Sequence, residues 1–302
     1  MKRIKMRYLA YIINLFALVF LFNLELVSAQ SCELVGNALK KVSKLRKLEI
    51  KNKVICETHN KEEIKKFIVS SIDEQVPPEK LAIDELVLKK IGFIPESYDY
   101  KKGLIDLYTS QIGGYYDPKK KKYIMASWIP ELLQTTVAVH ELTHALQDQY
   151  FDLEKLLDVE KYSSDEILAK SALAEGDATA IMNDYTRNDV GQPFLEKEDS
   201  VNSLVAVNEL AVTFTPELKN TPRPLKFLII FPYSDGLRFV HALLKLGGYE
   251  KLTEAFKNPP KTTEEILHPE KYINKTNDFR KISPDEIKKD LNLTDYKSIY
   301  QD

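Results

Sequence analysis

Val137-Ala138-Val139-His140-Glu141-Leu142-Thr143-His144-Ala145-Leu146 is the stretch on which the reading of this chain turns. It has apolar flanks, contains no Gly or Pro, and sits in a run, residues 131–151, that predicts a buried helix. On a helix, positions i and i+4 lie about 40° apart and about 6 Å along the axis, so His140 and His144 share a face. Two imidazoles so placed reach one ion at about 2.0–2.1 Å. Glu141, about 100° round from His140, can touch a water on that ion without ligating it. The pattern predicts a zinc hydrolase, with a peptidase as the first choice and Glu141 as general base. Two core histidines paired with carboxylates are the alternative.

A catalytic zinc takes a third protein ligand and keeps a fourth position open. The histidines downstream, His241 and His268, are far from the motif, and no His-x-x-Gly-x-x-His continuation is present, since Gln147-Asp148-Gln149-Tyr150 follows. A carboxylate is therefore favoured. Glu175, in Ala172-Leu173-Ala174-Glu175-Gly176-Asp177-Ala178, is an acid inside an apolar helical segment, residues 165–185. Burying a charge there is costly unless it is paired. Zinc would pair it, and a salt bridge to a lysine is the competing explanation. Gly176 beside it lets the two helices approach.

His140-Glu141-Leu142-Thr143-His144-Ala145 with Asp148 resembles the zinc helix of thermolysin-like metallopeptidases. Glu175-Gly176-Asp177-Ala178 is similar to the Glu-Gly-x-Ala ligand segment of zinc aminopeptidases in the same gluzincin clan. The string through Gln149, with Tyr115-Tyr116-Asp117-Pro118 ahead of it, also resembles a group of little-characterised secreted prokaryotic metallopeptidases. The resemblance implies a zincin-like catalytic domain holding one Zn²⁺ on His140, His144 and Glu175. It implies that Glu141 takes a proton from water and passes it to the leaving amine. Gluzincins draw their oxyanion donor from a Tyr or His well downstream of the ligand Glu, where Tyr233, His241 and His268 stand here. They often place an Asp four residues after that Glu, beside a zinc histidine. This chain has Thr179 there, and Asp177 falls on another helix face, which leaves Asp148 as the substitute.

The 302 residues are 44% hydrophobic and 29% charged, with a net charge of −2, which gives no reason to expect a nucleic-acid surface. Lys119 to Lys122 is the longest basic run and reads as a solvated turn. Lys2, Arg3, Lys5 and Arg7 precede an apolar run over residues 8–22, and Val27-Ser28-Ala29 supplies small residues for cleavage. Residues 1–29 therefore read as a signal peptide and the protein as exported. A retained anchor is the first rival, although Asn23 and Glu25 shorten the span below about 20 residues. Lipidation of Cys32 is the second, although Ala29-Gln30-Ser31 is a poor lipobox. A membrane partner follows only from these two cases. The two cysteines, Cys32 and Cys56, read as one disulfide, worth about 3 kcal/mol by the chain-entropy argument.

Along the exported part, helical periodicity runs through residues 62–72, 79–91 and 102–108 and predicts an N-terminal helical cap over residues 30–106. Residues 112–126 carry a β-hairpin pattern, either a candidate edge strand for an extended substrate or a sheet-forming hairpin with no substrate role. Residues 186–205 read as a loop, and helices are expected over 225–231, 234–246 and 249–257 and after Pro284. The expected fold is α+β and mainly helical, with the catalytic domain over residues 107–302 and the site between the sheet edge and the C-terminal helices. A zinc hydrolase of a non-peptide amide or ester, and an inactive binding protein on a peptidase fold, are the other functional readings. No acidic or aromatic cluster suggests a subsite for a free amine, which points to an endopeptidase.

Overall fold

The computed structural model describes residues 32, 34–188, 198–214, 218–276, 279, 280 and 283–293. The expected signal segment lies outside them. In chain order the elements begin with α1 (Val35–Arg46), β1 (Ile55–His59), α2 (Lys61–Gln75), α3 (Pro78–Lys90) and α4 (Tyr100–Gln111). The hairpin β2 (Gly114–Asp117) and β3 (Lys122–Ala126) leads into α5 (Glu131–Phe151), α6 (Leu153–Leu156) and α7 (Ser164–Asn188). Then come α8 (Glu198–Phe214), α9 (Arg223–Lys257), α10 (Thr263–Leu267), α11 (Pro269–Asn274) and α12 (Pro284–Asp290). Among the described residues the chain is mainly helical with one small sheet of strand order β1-β3-β2.

Local chemistry places the ends. Asn60 and Glu63 form a reciprocal capping box at the start of α2, and Asp99 accepts from the Lys102 N–H at the start of α4. In the hairpin turn, Asp117 Oδ1 accepts from the Lys119 and Lys120 N–H groups. Pro222 opens α9, and Gly248, at φ 59°, breaks its helical path between residues 246 and 249.

The hairpin forms as expected, with β2 antiparallel to β3. The segment read as a purely helical cap differs. β1 pairs parallel with β3, Ile55 opposite Lys122 through His59 opposite Ala126, so residues 55–59 extend the sheet. Val35, Ala38, Leu39 and Val42 of α1 pack in the same core as Leu142 and Leu173. Only the later part builds smaller clusters: Ile64 and Ile68 against Ala126 and Ile129, and Ile94 and Leu107 against Leu225 and Ile230. Cys32 and Cys56 are bonded, tying the residue before α1 to β1, so the Cys32 sulfur is not available to a lipid. The loop expected over 186–205 is also shorter: α7 runs to Asn188 and α8 starts at Glu198, while 189–197 lie outside the described residues.

Helices α5, α7 and α9 form the centre. The close approach at Gly176 is to α9 rather than to α5, the helix expected from the sequence. A Cβ on Gly176 would stand 2.2 Å from the Gly236 carbonyl oxygen, and one on Gly236 would stand 2.2 Å from the Ala172 carbonyl oxygen. Both obstacles are backbone, so neither yields to a rotamer change. Gly176→Ala is expected to lower unfolding free energy by about 1–3 kcal/mol or more in urea titrations. Gly36→Ala, on α1 with nothing within 4 Å of the new methyl, should be neutral or stabilising by up to about 1 kcal/mol.

Candidate metal centre

α5 buries Ala138, Leu142, Ala145 and Leu146 against the core and turns His140 and His144 toward α7. Their Nε2 atoms are 3.2 Å apart. Glu175 Oε2, from α7, stands 2.9 Å from His140 Nε2 and 3.3 Å from His144 Nε2. Ligands that share a tetrahedral ion at about 2.0–2.1 Å stand roughly 3.3 Å from one another. Two imidazole nitrogens and a carboxylate oxygen at this spacing therefore fit one zinc ion as a donor set. Among the described residues this is the group of three His, Cys, Asp or Glu side chains close enough to hold a metal. It is open to solvent, with 11% of each histidine side chain and 23% of Glu175 exposed.

The electrostatics follow from that packing. Burial alone would raise the Glu175 carboxyl, but the two imidazoles overcome it and hold the group well below the carboxylate range. Burial would likewise depress His144, and the facing Glu175 charge and hydrogen bond outweigh it, raising the ring to about 9. Glu141 moves upward, chiefly by desolvation, with Glu175 adding to the rise against the pull of both histidines.

Glu141 is held by the sheet. Its Oε2 accepts from the Tyr116 N–H of β2 at 2.9 Å. The Tyr116 hydroxyl donates to Asp148 Oδ2 at 2.7 Å, two turns along α5 from Glu141. Asp148 also receives Lys121 Nζ at 2.8 Å and the Leu153 N–H at 3.2 Å. Tyr116 therefore clamps β2 to α5 at two points, its backbone on Glu141 and its phenol on Asp148.

This overturns one expectation. Asp148 does not support a metal histidine; it faces the hairpin. The partner of His144 is Gln147, whose Oε1 accepts from His144 Nδ1 at 2.8 Å, and Gln147 Nε2 in turn donates to Ala174 O and Asp177 Oδ2, each at 3.0 Å. The i, i+3 spacing of His144 and Gln147 carried that signal in the sequence. Asp177, completely buried, is bound by Arg46 Nε of α1 at 2.8 Å. No local pattern announces Arg46, which is 131 residues away.

Of the three downstream candidates, Tyr233 is the one seen against the cluster. Its ring stacks on His140 with centroids 5.9 Å apart. Tyr233 as a whole is 37% exposed, but desolvation around its phenol and the charges of Glu175 and Glu141 push that group well above the ordinary value. His241 is buried farther along α9, and His268 is exposed between α10 and α11 with Nδ1 3.6 Å from Glu270. The site thus lies between the β2 edge and α9.

Comparison with protein-family models, with curated proteins and with solved structures gives no match to this chain.

Tyr116→Phe removes a hydrogen bond to a buried carboxylate that keeps Lys121 as a second partner. A loss of about 1–3 kcal/mol in unfolding free energy is expected, read by chemical denaturation.

Proposed function

We propose that this chain is an exported, gluzincin-type zinc peptidase with His140, His144 and Glu175 as metal ligands. The observation that carries the proposal is the convergence of these three donors with Glu141 on one side and Tyr233 on the other. Zinc bound there supplies Lewis acidity, which polarises a carbonyl and makes an attacking water acidic.

The chain's own groups would do the rest. Glu141 accepts the water's proton on the oxygen not held by Tyr116 and returns it to the leaving amine. Desolvation raises its carboxyl above the ordinary glutamate value, which makes it a stronger base than an exposed glutamate. The Tyr233 hydroxyl, beside Glu175, is placed to donate to an oxyanion developing at the cluster.

The open edge of β2 favours a peptide substrate. Ala126 N donates to Gly113 O, and antiparallel pairs alternate, so Gly114 and Tyr116 turn their backbone groups away from β3. The outward Tyr116 N–H already meets Glu141. An extended chain laid along this edge would place a peptide bond beside the base. Export is supported by the N-terminal pattern and by a disulfide, which persists in oxidising compartments.

Purified protein is expected to hold one zinc per chain by elemental analysis and to cleave within a degenerate peptide library. Glu141→Ala should keep the zinc and lose about 10²–10⁴ in cleavage rate. Absence of zinc binding at neutral pH would overturn the proposal, and full occupancy with no peptide cleaved would point to an amide or ester substrate. Tyr233→Phe should lower kcat by about 10²–10³ with KM little changed. Glu175→Ala should sharply weaken zinc binding in a chelator competition.

A further inference from the structure

We propose that Arg46 is a positioning residue for His144, acting across the core through Asp177 and Gln147; this rests on the metal-site reading above. The amide of Gln147 could in principle face His144 with either its oxygen or its nitrogen. Two acceptors decide the choice. The Ala174 carbonyl and Asp177 Oδ2 both face Nε2 at 3.0 Å, so Oε1 is turned to His144 Nδ1, 2.8 Å away. An amide oxygen only accepts, so Nδ1 must carry the proton. In the neutral ring, Nε2 then carries the lone pair, directed at Glu175 and His140, where a metal ligand has to point.

Asp177 fills this role as long as it remains an acceptor. Arg46 is the cation that fixes that acceptor in place, its Nε 2.8 Å from Oδ2. Neither side chain has any exposure, and Nε donates to the same Oδ2 that receives Gln147. Arg46 is itself fixed by α9, where Nη1 donates to Thr253 Oγ1 at 3.1 Å and the guanidinium lies 5.4 Å from the Tyr249 ring centroid. Burying an ion pair contributes little net stability, so stability alone is a poor reason for this one to lie in the core. Alignment of His144 accounts for it. The metal centre therefore includes a residue of α1, ahead of the sheet and of both metal helices.

The test compares wild type with Arg46→Met, Asp177→Leu, which removes the acceptor shared by Arg46 and Gln147, and Gln147→Met, each confirmed folded by circular dichroism. The ¹⁵N shifts of the His144 ring are read in metal-free protein at a pH where the ring is neutral, and zinc affinity is read by chelator competition. Wild type should show the proton on Nδ1. The variants should shift it toward Nε2 and weaken zinc binding about 10–100-fold. Lys47→Ala, which breaks the neighbouring exposed pair with Glu250, should change neither reading. An Nε2-protonated ring in wild type, or unchanged tautomer and affinity in the folded variants, would overturn the proposal. If Arg46→Met does not fold, Asp177→Leu decides it, since it breaks the link between Arg46 and Gln147 and leaves both of those side chains in place. A wild-type ring protonated on Nδ1 in a protein that binds no zinc would refute the metal reading and leave the positioning role standing.

Discussion

Glu175 is a carboxylate set among apolar residues where two core helices meet, and the need to compensate its charge organises what surrounds it. The two imidazoles of α5 face it at 2.9 and 3.3 Å, which draws its carboxyl down and holds His144 up. The same contact joins α5 to α7. Glu141 adds a second acid beside the same pair of rings, so two carboxylates share two imidazoles in a small volume. A divalent cation bound by His140, His144 and Glu175 would relieve that crowding.

The approach of the helices is set by glycine, and the candidate site residues Glu175 and Tyr233 lie next to the glycines. Gly176 follows Glu175 directly, and Gly236 lies three residues after Tyr233. Each glycine leaves room for the opposing backbone where a methyl would meet a carbonyl oxygen at 2.2 Å. A wider separation of α7 and α9 would carry Tyr233 away from Glu175. Helix packing and the placement of Tyr233 against the cluster are therefore one constraint, met twice by the smallest residue.

Much of this was legible in the sequence because it is local. The i, i+4 histidines, the acid in an apolar helix and the hairpin pattern each declare themselves within a few residues, and the structure brings the first two together. β1 was not legible: Ile55-Cys56-Glu57-Thr58-His59 is short and half polar, and becomes a strand by pairing with β3, far along the chain. Arg46 was invisible for a related reason. In a helix dense with lysines, one basic residue is buried because its partner comes 131 residues later. Tyr233, His241 and His268 were equivalent as sequence candidates, and only the crossing of α9 over the cluster separates them. Gln147 could have been found from helix geometry, but Asp148 beside it offered a charge and drew the assignment.

The N-terminal segment, which reads as an accessory cap, acts on both sides of the site. A three-stranded sheet has two edges, and an open edge is a place where any extended chain can add. β1 occupies the far edge of β3, so of the two hairpin strands only β2, beside Glu141, is left with an open side. The disulfide ties β1 to the start of α1, and α1 carries Arg46 to Asp177. One covalently closed segment thus covers the edge remote from Glu141 while linking Arg46 to the partners of His144. Cutting the chain at the apparent cap boundary would remove the covering strand and the buried cation together. As a packed unit, the candidate site therefore begins at α1 and not at the hairpin.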